Sequence, residues 1–297
     1  MTRWTAADIP DQTGRTYVIT GANSGIGLEA AKALCASGAH VIFACRNVEK
    51  ADAARAAIDG RHESMALDLS DLDSVRSFVG ALGARPVDVL INNAGIMAVP
   101  HGLSAQGYEL QFATNVLGHF LLTGLLLPQI TDRVVTLSSL MHRAGRLALD
   151  DINAERRTYR SWPTYAQSKL ADLSFAFELQ RRLTAAGSPV RSMAAHPGYA
   201  ATNLQNHARP MERMVMGIAN RFPMVAQPAH LGALPTLYAA TLPDLPGGSY
   251  VGPNGPGEMR GYPRLVGSSA AARDTSAGAQ LWALCEALTG SSFPVAA

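Results

Sequence analysis

The chain has 297 residues, 47% of them hydrophobic and 16% charged, which is a balance typical of globular proteins. The formal net charge of +2 gives no electrostatic argument for binding nucleic acid or an anionic membrane. Three scattered cysteines lack metal-ligand spacing, the first residues lack the apolar core of a signal peptide, and the most apolar segment, 120–128, is too short to span a bilayer. We therefore expect a cytoplasmic protein with reduced thiols, no metal site and no membrane span.

Short β-branched segments alternate with longer amphipathic ones along the first two thirds of the chain. The predicted strands are 15–20, 39–45, 63–69, 87–93, 133–139 and 190–197. The predicted helices are 24–37, 71–82, 108–130 and 164–186. Apolar strands separated by helices indicate a parallel sheet that is covered on both faces. We predict an α/β fold, with residues 1–297 forming a single Rossmann-type domain around a doubly wound parallel sheet.

Three segments depart from this alternation. Residues 141–162 form a polar insertion, residues 203–227 are predicted to be an irregular substrate loop, and the glycine- and proline-rich tail 247–297 is predicted to be a loop followed by a helix near 274–288. An apolar substrate wall and ordinary core packing are equally good explanations for one set of residues, because methionine packs well in both settings. That set is Met97, Tyr199, Met211, Met214, Met216 and Met224.

The segment "VITGANSGIG", residues 18–27, follows the first predicted strand and opens the first predicted helix. Its glycines allow a tight turn and a close approach to a pyrophosphate, and the helix N-terminus would present N–H groups and a positive dipole end. A plain structural turn is the alternative, but the strand before and the helix after favour a nucleotide site. The predicted contacts are Gly21, Asn23, Ser24, Gly25, Ile26 and Gly27.

The end of the second predicted strand bears on the choice of cofactor. Enzymes that read a free adenosine ribose place Asp or Glu there, whereas this strand ends in Cys45 and Arg46. Arg46 could pair with a 2′-phosphate, so NADP(H) is the predicted cofactor and NAD(H) the alternative. The alternative is that Arg46 is a solvated loop residue that contacts no phosphate. Asp68 and Leu69, after the third strand, are predicted to border the adenine ring.

Six motifs occur in a fixed order: "TGANSGIG", "NNAG", Asn115, "LSS", "YAQSK" and "HPG". In this the chain resembles the short-chain dehydrogenases/reductases between residues 15 and 202. The segments "ACRN", "RSWPTYAQSKLAD" and "ELQRRL" look most like the retinol-dehydrogenase-like branch. The resemblance implies a catalytic tetrad of Asn115, Ser139, Tyr165 and Lys169, and cofactor contacts at Asn93, Ala94, Gly95, Tyr165, Lys169, Pro197, Gly198 and Thr202.

The serine of that set must be chosen from two neighbouring residues, and His196 next to Pro197 needs a separate assignment. Family members commonly carry the serine about a dozen residues before the tyrosine, whereas Ser139 precedes Tyr165 by 26 residues. Ser138 and Ser139 are both candidates, and we choose Ser139 because it falls at the carboxyl end of a strand, where ligands bind in open α/β sheets. His196 resembles a general base, but its position beside Pro197 favours a structural role.

The resemblance implies hydride transfer between a nicotinamide and an alcohol or carbonyl, with Tyr165 exchanging the proton. The Lys169 ammonium, four residues away on one helix face, and the positive nicotinamide of the oxidised cofactor are together expected to lower the pKa of the phenol. Ser139 would hold the substrate oxygen, and Asn115 would hold a water that links Lys169 to solvent. We expect an apolar or bulky substrate. As in many relatives, the helices that contain Tyr108 and Thr164 are candidates for contacts in a homo-oligomer.

Two other functions fit the same fold. A dinucleotide-binding sensor without catalysis would have no need for Tyr165 and Lys169 together. A sugar-nucleotide epimerase or dehydratase is typical of a different glycine spacing and a larger C-terminal region. Both are less consistent with the motifs than an NADP(H)-dependent short-chain alcohol dehydrogenase or carbonyl reductase.

Overall fold

The computed structural model describes residues 3–200 and 227–293, which form one doubly wound α/β domain. The strands are β1 Thr16–Thr20, β2 His40–Cys45, β3 Arg61–Ala66, β4 Val87–Asn92, β5 Ile130–Leu137, β6 Arg191–Ala195, β7 Tyr250–Pro253 and β8 Pro263–Leu265. Their order in the sheet is β3-β2-β1-β4-β5-β6-β7-β8, and all neighbours pair in parallel except β7 and β8. The predicted α/β fold class is confirmed.

The helices cover both faces of this sheet. They are α1 Gly25–Ala36, α2 Val48–Arg55, α3 Leu72–Leu82, α4 Leu110–Gln129, α5 Ser161–Ala185, α6 Ala229–Thr241, α7 Ala270–Arg273 and α8 Thr275–Thr289. Helices α3, α4, α5 and α8 enclose one apolar core cluster, and α1, α2 and α6 enclose another. The strand residues alternate between these two clusters, as in Val18 and Ile19, which explains why the strands read as continuous apolar segments.

The tail is the part of the fold where the sequence prediction was wrong. Residues 247–265 were expected to be a loop, but they contain β7, which extends the parallel sheet, and β8, which closes it in the antiparallel direction. β8 begins at Pro263, and a proline is tolerated there because β8 is an edge strand. Glycine and proline obscured two strands that are only four and three residues long.

Helix α4 carries two features that affect the site. It is 20 residues long and apolar enough to cross a membrane by length and composition, and 83% of its most apolar 18-residue window is buried inside the fold. Its first part contains a wide π-helical turn, Ala113–Leu117, with Asn115 in the middle. At Gly118 the helix packs directly on the backbone carbonyl of Leu69, where a side chain would collide with that carbonyl. Close packing at Gly118 therefore fixes the height of the π turn above the sheet.

Candidate active site

A cavity of about 340 Å³ opens at the carboxyl ends of the central strands. The strand order reverses between β1 and β4, and such a switch point is the usual ligand crevice of open α/β sheets. The sequence-predicted site residues that line the cavity are Gly21, Asn23, Ser24, Gly25, Ile26, Gly27, Asn93, Ala94, Gly95, Ser139, Tyr165, Lys169, Pro197 and Gly198. Four separate loops therefore converge on one space large enough for a small-molecule ligand.

The glycine-rich loop forms one wall of this cavity. Gly21 and Gly25 have φ of 67° and 55°, a region that favours glycine. A Cβ on Gly27 would lie 2.5 Å from Nδ2 of Asn93 and 2.7 Å from the carbonyl oxygen of Gly21, so this position also requires glycine. The Ser24 side chain makes no capping hydrogen bond to α1. The first turn of α1 therefore keeps its N–H groups and positive dipole end directed at the cavity, which suits an anionic phosphate.

The segment after β4 is fixed to β1 by the Thr20 side chain. Thr20 Oγ1 accepts from the backbone N–H groups of Asn93 and Ala94, both at 2.9 Å, and Asn93 Nδ2 donates to the Thr20 carbonyl at 2.7 Å. His119 Nε2 lies 2.9 Å from the same hydroxyl. Burial lowers the pKa of His119 to about 3, so the ring is neutral. These bonds hold the "NNAG" backbone flat against the cavity.

Asn115 lies beneath the cavity rather than in its wall. It is fully buried; its Oδ1 accepts from the Ile96 N–H at 2.9 Å, and its Nδ2 donates to the Ile96 carbonyl at 3.0 Å and to Ser168 Oγ at 2.9 Å. His119 Nδ1 lies 2.8 Å from its backbone carbonyl. The amide of Asn115 therefore joins the π turn of α4 to the end of the "NNAG" segment and to α5. Its expected role in holding a water stays a prediction.

The two adjacent serines after β5 have different surroundings. Ser138 is buried and its hydroxyl donates to the Lys169 carbonyl at 2.7 Å, while Tyr250 also bonds to it. Ser139 is half-buried, its Oγ accepts from the Met141 N–H at 3.2 Å, and it bonds to the Tyr165 phenol. Ser139 thus faces the phenol inside the cavity, whereas Ser138 holds strand β5 against helix α5.

The insertion between Ser139 and Tyr165 does not separate them in space. It begins as a 3-10 turn, Leu140–Ala144, and at Gly145 it packs directly on the backbone of Ala166 in α5. The 26-residue spacing is therefore a surface excursion that returns to the same place. Helix α5 also starts at Ser161, three residues earlier than the prediction, which adds Trp162 to the helix that carries Tyr165.

Lys169 lies one turn after Tyr165 on α5, and both side chains are 5% exposed. Its Nζ lies 5.9 Å from the centroid of the Tyr165 ring and donates to the Leu137 carbonyl at 3.0 Å. A third contact was missed by the sequence prediction: Nζ lies 2.7 Å from Oδ2 of Asp172. The i,i+3 spacing of Lys169 and Asp172 within a helix was the available signal.

The expected lowering of the Tyr165 pKa is not what the protein groups produce. Burial raises the pKa of the phenol more than the Lys169 ammonium and the bond to Ser139 lower it, and Asp172 adds to the rise. Burial acts to lower the pKa of Lys169, but Asp172 and Tyr165 together raise it by more than burial lowers it. Lys169 is therefore charged. The sequence argument counted the attraction of Lys169 and of the positive nicotinamide for the phenolate, and it omitted the cost of burying a phenolate.

Three predicted cofactor contacts lie outside the cavity wall. Arg46 is exposed immediately after β2, beside the end of β1 that begins the glycine-rich loop. Asp68 is half-buried, and its Oδ1 accepts from the Ser70 N–H and hydroxyl at 2.9 and 2.6 Å. The Leu69 side chain is 5% exposed and belongs to the apolar core. Its contact with the adenine ring stays a prediction and would involve its backbone.

The loop after β6 contributes the opposite wall. Pro197 and Gly198 line the cavity, and Gly198 has φ of 68°. His196 is fully buried away from the cavity, its Nδ1 accepts from the Gly198 N–H at 3.3 Å, and burial lowers its pKa to about 3. The structure therefore places His196 as a neutral support for the Gly198 turn. Thr202 and the four methionines from 211 to 224 lie outside the described residues.

The outer part of the cavity is mainly apolar. Met97 and Tyr199, for which a substrate wall and core packing were equally good explanations, line it together with Met141 and Trp162, which the sequence analysis did not assign. The Trp162 ring makes an edge contact with the Tyr165 ring, with centroids 6.3 Å apart. A substrate whose reacting oxygen met Tyr165 would therefore have its carbon skeleton beside an indole and two thioethers.

Comparison with known proteins identifies related sequences and folds. The family model described as short chain dehydrogenase matches residues 15–213. Over 205 residues the chain is 45% identical to retinol dehydrogenase 13 of Homo sapiens, covering 65% of this chain and 61% of that protein. Over 301 residues it is 38% identical to polyprenol dehydrogenase of Danio rerio, covering 95% and 89%.

Two solved structures extend the comparison. The crystal structure of an uncharacterized protein from Mycobacterium paratuberculosis is 51% identical, with a TM-score of 0.86 and coverage of 99% of this chain and 100% of that one. An NAD(P)-dependent gluconate 5-dehydrogenase from Beutenbergia cavernae, with NADP bound at low occupancy, is 29% identical with a TM-score of 0.60. It covers 78% of this chain and 92% of its own.

Proposed function

Because the chain belongs to the short-chain dehydrogenases and groups with their retinol-dehydrogenase-like branch, we propose that it is an oxidoreductase that transfers a hydride between a nicotinamide and an alcohol or carbonyl. The observation that carries this proposal is the meeting of Ser139, Tyr165 and Lys169 in the same cavity as the glycine-rich loop. A cofactor phosphate on the first turn of α1 would lie at one end of that cavity, and the hydroxyls would lie at the other. A non-catalytic sensor would need the phosphate site but not the hydroxyls of Ser139 and Tyr165.

The residues of the cavity suit a nicotinamide dinucleotide. Gly21, Gly25 and Gly27 leave the backbone open beside the N-terminus of α1, and Asn93 to Gly95 supply a flat wall of backbone held by Thr20. The cofactor supplies the hydride. Among the protein groups, Lys169 has two donors committed to Leu137 and Asp172, which leaves one N–H for a ribose hydroxyl.

The protein side of the reaction is a proton transfer at the substrate oxygen. In carbonyl reduction the Tyr165 phenol would donate its proton to that oxygen, and in alcohol oxidation the phenolate would accept it. Ser139, which bonds the phenol, would donate to the same oxygen and orient it. Burial of Tyr165 excludes bulk water from this step, and the buried Lys169 ammonium compensates part of the cost of forming the phenolate.

We propose NADP(H) as the preferred cofactor. The support is at the end of β2, where Arg46 is exposed and the neighbouring residues Cys45 and Asn47 bring no carboxylate. A carboxylate there would repel a 2′-phosphate, whereas an exposed guanidinium can bond it in a bidentate manner.

We propose that the substrate is an apolar or bulky alcohol, or the corresponding carbonyl compound. The apolar outer wall of Met97, Met141 and Trp162 supports this, and so do relatives that are named for retinol and for polyprenol. The test is a panel of alcohols and carbonyls of graded size and polarity, read by NADPH and NADH absorbance. Turnover of large apolar members with NADPH is expected, and faster turnover of small polar members, or equal rates with both cofactors, would contradict these two parts of the proposal.

A further inference from the structure

Asp172 is a buried carboxylate at the centre of the proposed catalytic machinery. It is 2% exposed, it lies three residues after Lys169 on α5, and its Oδ2 is 2.7 Å from the lysine Nζ. Removing a carboxylate and an ammonium from water costs several kcal/mol for each ion before their attraction is counted. A hydrophobic or amide side chain would avoid the cost of the carboxylate but would leave the Lys169 ammonium without this counter-charge. The carboxylate therefore has an effect on Lys169 that a neutral residue would not have.

The geometry shows what that effect is. The Lys169 Nζ is 2.7 Å from the Asp172 carboxylate and 5.9 Å from the centroid of the Tyr165 ring. A second donor bonds the Leu137 carbonyl at 3.0 Å, at the end of β5. These two contacts fix the position of the ammonium beside the phenol ring. The nearest opposite charge to Lys169 is that of Asp172, so the positive charge that reaches the phenol is partly cancelled.

We propose that Asp172 is a positioning residue that anchors the Lys169 ammonium and limits how strongly its charge acts on the Tyr165 phenol. This inference rests on the proposed function, in which Tyr165 exchanges the proton. Asp172 touches neither substrate nor cofactor in this account, and it acts through Lys169.

In the part of the chain that the structure describes, the other titratable groups that interact with Tyr165, Lys169 and Asp172 are neutral. From α4, His119 has a pKa lowered to about 3 by burial. From β7 and α8, burial raises the pKa of Tyr250 and of Cys285, so the phenol and the thiol stay protonated. Burial also raises the pKa of Asp172, to about 6, so it is ionised above neutral pH. Among the described residues, Asp172 is thus the acidic side chain that acts on both Tyr165 and Lys169.

The expected consequence is a change in pH dependence. Asp172→Asn keeps the size of the side chain and removes its negative charge, which favours the phenolate. Alcohol oxidation requires the phenolate, so its rate rises with pH through the pKa of Tyr165. The midpoint of that rise is expected to fall by about one pH unit in the variant, the lower end of what a nearby charge produces.

The matched control is Glu178→Gln, which makes the same chemical change on the same helix. Glu178 is buried and paired with Arg181 and Arg182, about two and a half turns beyond Lys169. Wild type and both variants are compared in kcat against pH for oxidation, with folding checked by circular dichroism. A lower midpoint for Asp172→Asn with an unchanged midpoint for Glu178→Gln would support the proposal. An active, folded Asp172→Asn with the wild-type midpoint would overturn it.

Asp172→Glu covers the case in which the asparagine variant does not fold. It retains the carboxylate, so its midpoint is expected to stay within about 0.3 pH units of wild type, and a shift as large as one unit would overturn the proposal. The experiments distinguish a failure of the proposed function from a failure of the proposed role of Asp172. A wild-type protein that turns over no member of the substrate panel contradicts the proposed function, whereas wild-type turnover with an unshifted Asp172→Asn profile contradicts the role of Asp172 alone.

Discussion

The two serines after β5 allow a paired prediction, because their hydroxyls lie on adjacent residues but have different partners. Ser139→Ala removes the hydroxyl that bonds the Tyr165 phenol in the cavity. A single lost donor to a reacting oxygen typically costs about 10²- to 10³-fold in kcat. We expect a loss of that size, with little change in the melting temperature, since Ser139 is half-buried and lies in the cavity wall.

Ser138→Ala is expected to show the reverse pattern. Its hydroxyl donates to the Lys169 carbonyl at 2.7 Å and bonds Tyr250, in a site where the serine is 3% exposed. Leaving a buried partner without its hydrogen bond costs about 1–3 kcal/mol. For a chain of this size that corresponds to a fall of a few degrees in the melting temperature. Turnover at 25 °C should stay within a few-fold of wild type.

The assay for both variants combines initial rates from NADPH absorbance with thermal unfolding followed by circular dichroism. Wild type and the two variants are measured side by side at one pH. If Ser138→Ala lost its turnover while Ser139→Ala kept it, the assignment of the two hydroxyls would be wrong. Equal loss of turnover in both variants would show that β5 must be held against α5 for any catalysis.

Arg46→Asp should lower the preference for NADPH over NADH by about tenfold to a hundredfold, because it replaces a charge-assisted bond of about 1.5–3 kcal/mol by repulsion. Arg61→Asp, at the exposed amino end of β3, is the matched control, and equal effects in both would refute a specific 2′-phosphate contact. Trp162→Ala should raise the KM of large apolar substrates about tenfold, equivalent to about 1.4 kcal/mol of lost apolar contact, and leave small polar substrates unchanged. A uniform effect across the panel would argue that Trp162 supports the Tyr165 ring rather than the substrate.

Sequence patterns predicted the central sheet well because most of its strands, though not the edge strand β3, are buried on both faces. The six predicted strands all exist, with ends shifted by up to three residues, and the residues that follow them converge on one cavity since parallel strands share a carboxyl edge. β7 and β8 were missed because their packing against β6 and each other is decided by distant contacts, not by local residue preference. The burial of the Leu69 side chain was not predicted for a similar reason: Gly118 of α4 packs over it.

The electrostatics of the site could be predicted only in part. The spacing of Tyr165 and Lys169 indicates a shared helix face, but it does not show how deeply the face is buried. Among the protein groups, burial outweighs the effect of Lys169 on the Tyr165 pKa, and Asp172 contributes a charge that the motif does not include. The pKa of Tyr165 depends on all of its charged neighbours in space. A motif that includes Lys169 but not Asp172 therefore does not give the direction of the shift.

Tyr165→Phe tests the central claim most directly, since it removes one oxygen from a buried ring and leaves the packing against Trp162 in place. Turnover of the best substrate is measured together with the affinity for NADPH by fluorescence titration. We expect turnover to fall at least a hundredfold, the usual effect of losing a proton donor, while NADPH affinity stays within a few-fold. A phenylalanine variant with near wild-type turnover would show that another group moves the proton.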